Sequence, residues 1–172
     1  FTHTNTQTAT PTGTPTISFA EAVDSPENVF VFYGANQWFG QNQVYFIDGD
    51  AGKSGVISNG QYTYVETLVT GPGSLSFYWK VSSQQNSDYL RLYVDGFVND
   101  SISGEIDWTL KTVNLGDGQH LIRWMYVKDG SGSAGSDCGY IDGFNYIRMT
   151  PTITVTYTVT NTFTLTRTQT PT

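Results

Sequence analysis

Disulfide bonding within the chain is excluded at once, because Cys138 is the only cysteine in 172 residues. That leaves an extracellular setting open, since a core of this size holds without staples. Histidine is nearly as scarce. His3 and His120 are the only two, and a nucleophilic triad needs a base held against Ser or Cys. One Cys and two His also serve zinc poorly. Positive charge is sparse, with 8 Lys and Arg against 15 Asp and Glu and a net charge of −7. A phosphate-binding footprint is therefore missing, which argues against nucleic acid as a partner. No apolar run approaches the roughly 20 residues of a membrane helix. Neither a Met start nor a basic leader opens the sequence, so a mature or excised fragment is expected.

What the sequence has in excess is threonine, and its placement is regular. Every even position from Thr2 to Thr16 and from Thr150 to Thr172 is threonine. The stretch between them, residues 17–149, holds every acidic residue and every tryptophan but only five threonines. So abrupt a shift marks a boundary at each end. Three parts follow: a Thr-rich extended flank over 1–16, a core over 17–149, and a Thr-rich strand flank over 150–172.

Within the core, helical periodicity is hard to find. Short runs rich in Val, Ile, Tyr, Phe and Trp recur between Gly, Asn, Asp and Pro clusters. "YTYVETLVT" runs into "GPG", and "SLSFYWKV" places Leu75, Phe77, Trp79 and Val81 on one face. "YLRLYV" is followed by Asp95-Gly96 and then "FVNDSIS", a two-residue hairpin signal. "HLIRWMYVKDG" aligns Ile122, Trp124 and Tyr126. About nine or ten strands with no helix between them predict an all-β, antiparallel, jelly-roll-like β-sandwich.

The segments "QWFGQNQVYFIDGDAGKSGVIS", "VTGPGSLSFYWKVSSQQNSDYLRLYVDG" and "LIRWMYVKDGSGSAGSDCGYIDGF" resemble a jelly-roll module of bacterial surface and secreted proteins, related to the MAM and cleaved-adhesin domains. The resemblance spans nearly all of residues 18–147. It implies adhesion, contact with glycans or proteins, or architectural spacing, without catalysis. It also implies calcium between an acidic residue on the first strand and one on the last, here Glu21 and Asp142.

The residues themselves offer few catalytic groups. Cys138 reads as a buried small hydrophobe. Glu105 and Asp107 are a carboxylate pair of the kind glycosidases use, but they flank a turn before Trp108. No catalytic residue is assigned. Hard cations want clustered oxygens on loops, and "DGDAGKSG" offers Asp48 and Asp50, which makes a structural calcium the one cofactor expected. The competing account is that Asp-Gly pairs simply form turns. A carbohydrate platform would use exposed aromatics, and Trp38, Phe39, Tyr62 and Tyr64 are the candidates.

The x-Thr flanks have the period of a strand, so their hydroxyls line one side. In the C-terminal flank the other side carries Ile153, Val155, Tyr157, Val159, Phe163 and Leu165, an apolar row suited to intersubunit strand pairing. Pro11 and Pro15 make the N-terminal flank an edge or a stalk. Thr2, Thr4, Thr6, Thr8, Thr10, Thr12, Thr14 and Thr16, with Thr152, Thr154, Thr156, Thr158, Thr160, Thr162, Thr164, Thr166, Thr168 and Thr170, are the expected O-glycan acceptors. Two functions follow. The first is a structural subunit or repeat of an extracellular filament, pairing head to tail with copies of itself. The second is a cell-surface adhesion or carbohydrate-binding module on a Thr-rich, mucin-like stalk.

Overall fold

The computed structural model describes residues 16–150. The intersubunit row Ile153 to Leu165 and the glycan acceptors apart from Thr16 lie outside the described residues, and Thr16 is exposed. Among the described residues the elements run α1 (Phe19–Ala22), β1 (Val31–Gly34), β2 (Phe39–Gln41), β3 (Ala51–Lys53), β4 (Tyr62–Ser82), β5 (Tyr89–Val94), β6 (Phe97–Ser103), β7 (Glu105–Val127) and β8 (Cys138–Arg148). Every strand pairing is antiparallel. The all-β antiparallel sandwich is therefore the fold.

Two strands are far longer than their sequences suggest. "YTYVETLVT" and "SLSFYWKV" form one 21-residue strand, β4, and a 23-residue β7 runs beside it. This reduces the expected nine or ten strands to eight. "GPG" reads as a breaker, yet the ladder passes through it by changing register. From Gly71 to Gly73 takes two steps along β4, while the partners Gly118 and Leu115 are three apart on β7. That extra residue bends both strands together, as a bulge does. Gly71 is needed there, because a Cβ would run into the Gly116 carbonyl.

The bend turns one ladder into two layers. The first is β6-β5-β7-β4-β1, using the C-terminal half of β7 and the N-terminal half of β4. The second is β2-β3-β8-β4-β7, using the other halves. Their inner faces close one core: Phe77 of the second layer meets Trp124 of the first edge-on, with centroids 5.1 Å apart. Leu75, Leu90, Leu92 and Ile122 are fully buried around them.

Asp95 and Gly96 form the β5–β6 hairpin with φ of 54° and 84°, the pair of positive angles a two-residue turn requires. The short helix α1 was not anticipated. Its signal is present in "SFAE": Ser18 accepts from the Glu21 amide while the Glu21 carboxylate accepts from the Ser18 amide and hydroxyl. That is a capping box.

Candidate functional site

The outward face of the first layer carries the most distinctive surface chemistry. Along β4, Thr63, Val65, Thr67 and Val69 are buried, so Tyr62, Tyr64, Glu66 and Leu68 point the other way. Antiparallel register then sets them in rows. Tyr33 of β1, Tyr64, Met125 of β7 and Arg91 of β5 lie side by side, as do Val31, Glu66, Arg123 and Tyr93.

Three tyrosines in this array stack. Tyr33 and Tyr64 lie 5.1 Å apart with planes 29° from parallel, and Tyr62 lies 6.1 Å from Tyr64 at 14°. The Arg123 guanidinium sits over the Tyr64 ring at 4.1 Å, a cation–π arrangement. Arg123 also donates to the Glu66 carboxylate at 2.8 Å, which fixes its plane. Burial pushes the Tyr64 hydroxyl's pKa up, and Arg123 opposes that rise. Tyr33 and Tyr62 at the two ends are 48% and 50% exposed, so the ladder presents open ring surface. Beside it a cavity of about 420 Å³ is lined by Val29, Val31, Leu68, Glu66 and Glu27. Glu66 both lines that cavity and holds Arg123, so the cavity adjoins the ladder.

Of the candidate platform aromatics, Tyr62 and Tyr64 stack on one another, and Tyr33, Arg123 and Glu66 join them. Trp38 is not a platform. It is 3% exposed and packs edge-on against Phe19 at 6.2 Å, because a large apolar ring next to α1 gains more from the core than from solvent. Phe39 is exposed but lies on β2, in the other layer. The missed Tyr33 had a signal: in "VFVFYG", Phe30 and Phe32 alternate with Val31 and Tyr33, which assigns the latter pair to the opposite face.

The expected calcium ligands do not share one point. Glu21 is engaged in the cap of α1. Asp142 is buried, and its Oδ2 accepts from the Phe46 and Ile47 amides at 2.7 and 3.0 Å. Its Oδ1 is buried with no partner, and burial raises the pKa of this carboxyl, with Asp24 adding to the rise. Asp50 is raised by burial and then by the charges of Asp24, Asp48 and Glu21. The charge of Asp24 contributes to both rises. Among the described residues, no three acidic, His or Cys side chains converge closely enough to hold a metal ion by themselves.

The groups that could suggest catalysis are engaged. His120 places Nδ1 at 2.7 Å from Asp95 and Nε2 at 3.1 Å from the Gly116 carbonyl. Burial pushes the Cys138 thiol up, away from its reactive thiolate form. Glu105 accepts from Ser82, and Asp107 from Lys80.

No family model and no curated protein sequence matches the chain. Solved structures do. The K3 cleaved adhesin domain of Lys-gingipain from Porphyromonas gingivalis superposes with a TM-score of 0.54 at 13% identity, over 79% of this chain and 99% of that one. TmCBM61, solved in complex with β-1,4-galactotriose, gives 0.51 at 13% identity over 77% and 95%. A secreted serine protease of Vibrio cholerae, VesC, gives 0.54 at 14% identity over 75% of this chain, which spans only 26% of that protein. The shared property is the β-sandwich fold. Adhesin domains, as the sequence resemblance implied, are among those that have it.

Proposed function

We propose that the chain is a cell-surface or secreted adhesion module that binds glycans, without catalysis, on the surface formed by Tyr33, Tyr64 and Tyr62 and the cavity that adjoins it. The single observation that carries this reading is the open tyrosine ladder pinned by Arg123 and Glu66. Sugar rings pair an apolar C–H face with a rim of hydroxyls. Stacked tyrosines offer flat apolar contact at low conformational cost, and the Arg123–Glu66 pair offers hydrogen-bond donors and acceptors beside it. Sandwiches of this fold include a carbohydrate-binding module solved with a bound oligosaccharide, which supports the class of ligand but not its identity.

The same reading places the module outside the cell, carried on its x-Thr flanks. Those flanks also support the second reading, in which copies join through paired x-Thr strands into a filament with O-glycans on the threonine face. The two are compatible, since a filament repeat can carry a binding face. A structural calcium belongs with either. Of the expected ligands Asp142 keeps a buried oxygen without a partner, so a structural calcium would take that oxygen and draw the others from backbone and water. Its contribution would be to neutralise the buried Asp142 carboxylate.

The test is a glycan array probed with the full chain, followed by incubation of each bound glycan and a count of new reducing ends. Retention of a defined glycan class with no chain cleavage is expected. Release of reducing ends would overturn the non-catalytic reading, and a blank array would overturn the binding reading.

A further inference from the structure

The most unusual buried group is a lysine. The side chains of Lys128 and Asp88 are 1% and 0% exposed, and Nζ lies 3.0 Å from Asp88 Oδ2. Tyr89 and Val127 are paired across β5 and β7, so Asp88 and Lys128 extend that rung at the strand ends. Asp137 approaches the same nitrogen at 2.5 Å and is itself a quarter exposed. The Tyr126 hydroxyl donates to Asp137 Oδ1 at 3.2 Å, and Ser133 Oγ is 3.2 Å from Nζ. Both ends of the Asp88 residue are pinned. Its Oδ1 accepts from the Asp129 amide at 2.9 Å, and its carbonyl accepts from Ser83 Oγ at 3.0 Å.

From this arrangement we infer that Lys128 and Asp88 are joined by an intramolecular amide bond that forms after the chain folds. The atoms balance without any co-reactant. The site starts as an ammonium and two carboxylates. Asp137 takes a proton from Nζ and delivers one to Asp88 Oδ2, leaving a neutral amine against a neutral acid. Nζ then attacks Asp88 Cγ, and the charge that develops on Oδ1 meets the Asp129 N–H already aimed at it. The Cγ–Oδ2 bond breaks, and Oδ2 departs with two protons as water. One proton stays on the amide nitrogen, and Asp137 returns ionised.

Each element of the site favours this course. Water is excluded from Lys128 and Asp88, so holding two charges there is costly and their conversion to a neutral amide relieves that cost. The attacking nitrogen is held 3.0 Å from an oxygen of the carboxyl it attacks, which replaces a bimolecular encounter. Asp137 can move protons because it touches the nitrogen while reaching solvent. At rest, burial lowers the Lys128 pKa, but the two aspartates outweigh it and hold it above the usual lysine range. The unreacted form is therefore the ion pair, and the product exchanges two buried charges for one neutral amide. The bond would tie β5 to β7 in a protein that has no disulfide available.

The experiment is peptide mapping by mass spectrometry of the full chain after folding. Trypsin should leave residues 81–91, which contain Asp88, joined to residues 124–148, in which cleavage at Lys128 is blocked. The pair should be lighter by one water than the sum of the two. Asp137→Ala should give the separate peptides at full mass, and Lys128→Arg should do the same. Separate, full-mass peptides from the wild-type chain would overturn the inference whatever the variants do. A water lost within 124–148 alone would mean a bond to Asp137, overturning Asp88 as the acceptor.

Discussion

At the scale of single residues, fates diverge between side chains that look alike in the sequence. Trp38 and Tyr62 are both aromatic and both directly follow a glutamine, yet one is core and the other surface. Trp38→Ala should lower stability by about 3–5 kcal/mol, whereas Tyr62→Ala should change it by less than about 0.5 kcal/mol. Urea denaturation midpoints of the two variants decide between these roles. His120 and Asp95 give a second contrast. The hydrogen bond between them raises the His120 pKa and lowers that of Asp95. A histidine raised on folding adds stability below its unfolded pKa and loses that contribution as pH rises through the folded value. Asp95→Asn keeps the turn-forming residue type and removes the charge. The wild-type advantage over this variant should be present at mildly acid pH and vanish under alkaline conditions. Proton NMR titration of His120 should show its pKa falling toward the ordinary imidazole value in Asp95→Asn.

At the scale of elements, much was legible and the reasons for the misses are physical. The alternation of Leu75, Phe77, Trp79 and Val81, and of Leu90 and Leu92, identified inward faces correctly because period two maps directly onto the two sides of a strand. Asp95-Gly96 fixed the hairpin because few other residue pairs accept two positive φ angles. The bend in β4 was read as an end, since Gly-Pro-Gly punctuates strands in isolation and only the matching Gly116–Gly118 across the ladder shows that pairing continues. Gly71→Ala is the test of that account. The new methyl would overlap the Gly116 carbonyl, so a loss of about 3 kcal/mol is expected, visible as a lowered denaturation midpoint. An unchanged midpoint would mean that the bend does not depend on this close approach. The tyrosine ladder was only half legible, because Tyr33 and Arg123 reach Tyr64 from strands about 30 and 60 residues away in the chain, and one sequence gives no register between strands.

For the whole molecule, the sequence marked a sandwich with a distinct surface chemistry but did not identify its ligand. Charge distribution adds a prediction at this scale. Asp142 and Asp50 have raised pKa values, so the metal-free protein should lose stability as pH rises through and just above the ordinary aspartate range. Calcium should reverse that loss. Thermal unfolding at neutral pH should shift upward with calcium relative to chelator, and Asp142→Asn should abolish the shift. Equal melting in both conditions would remove the cation from the account.

The central claim is that the tyrosine ladder holds sugar. Affinity electrophoresis of the full chain through gels containing neutral polysaccharides tests it most directly, with Tyr62→Ala/Tyr64→Ala run alongside. The account predicts that at least one polysaccharide retards the wild-type chain and that the double variant, equally well folded by circular dichroism, migrates freely. Equal retardation of both proteins would place the glycan elsewhere and contradict it.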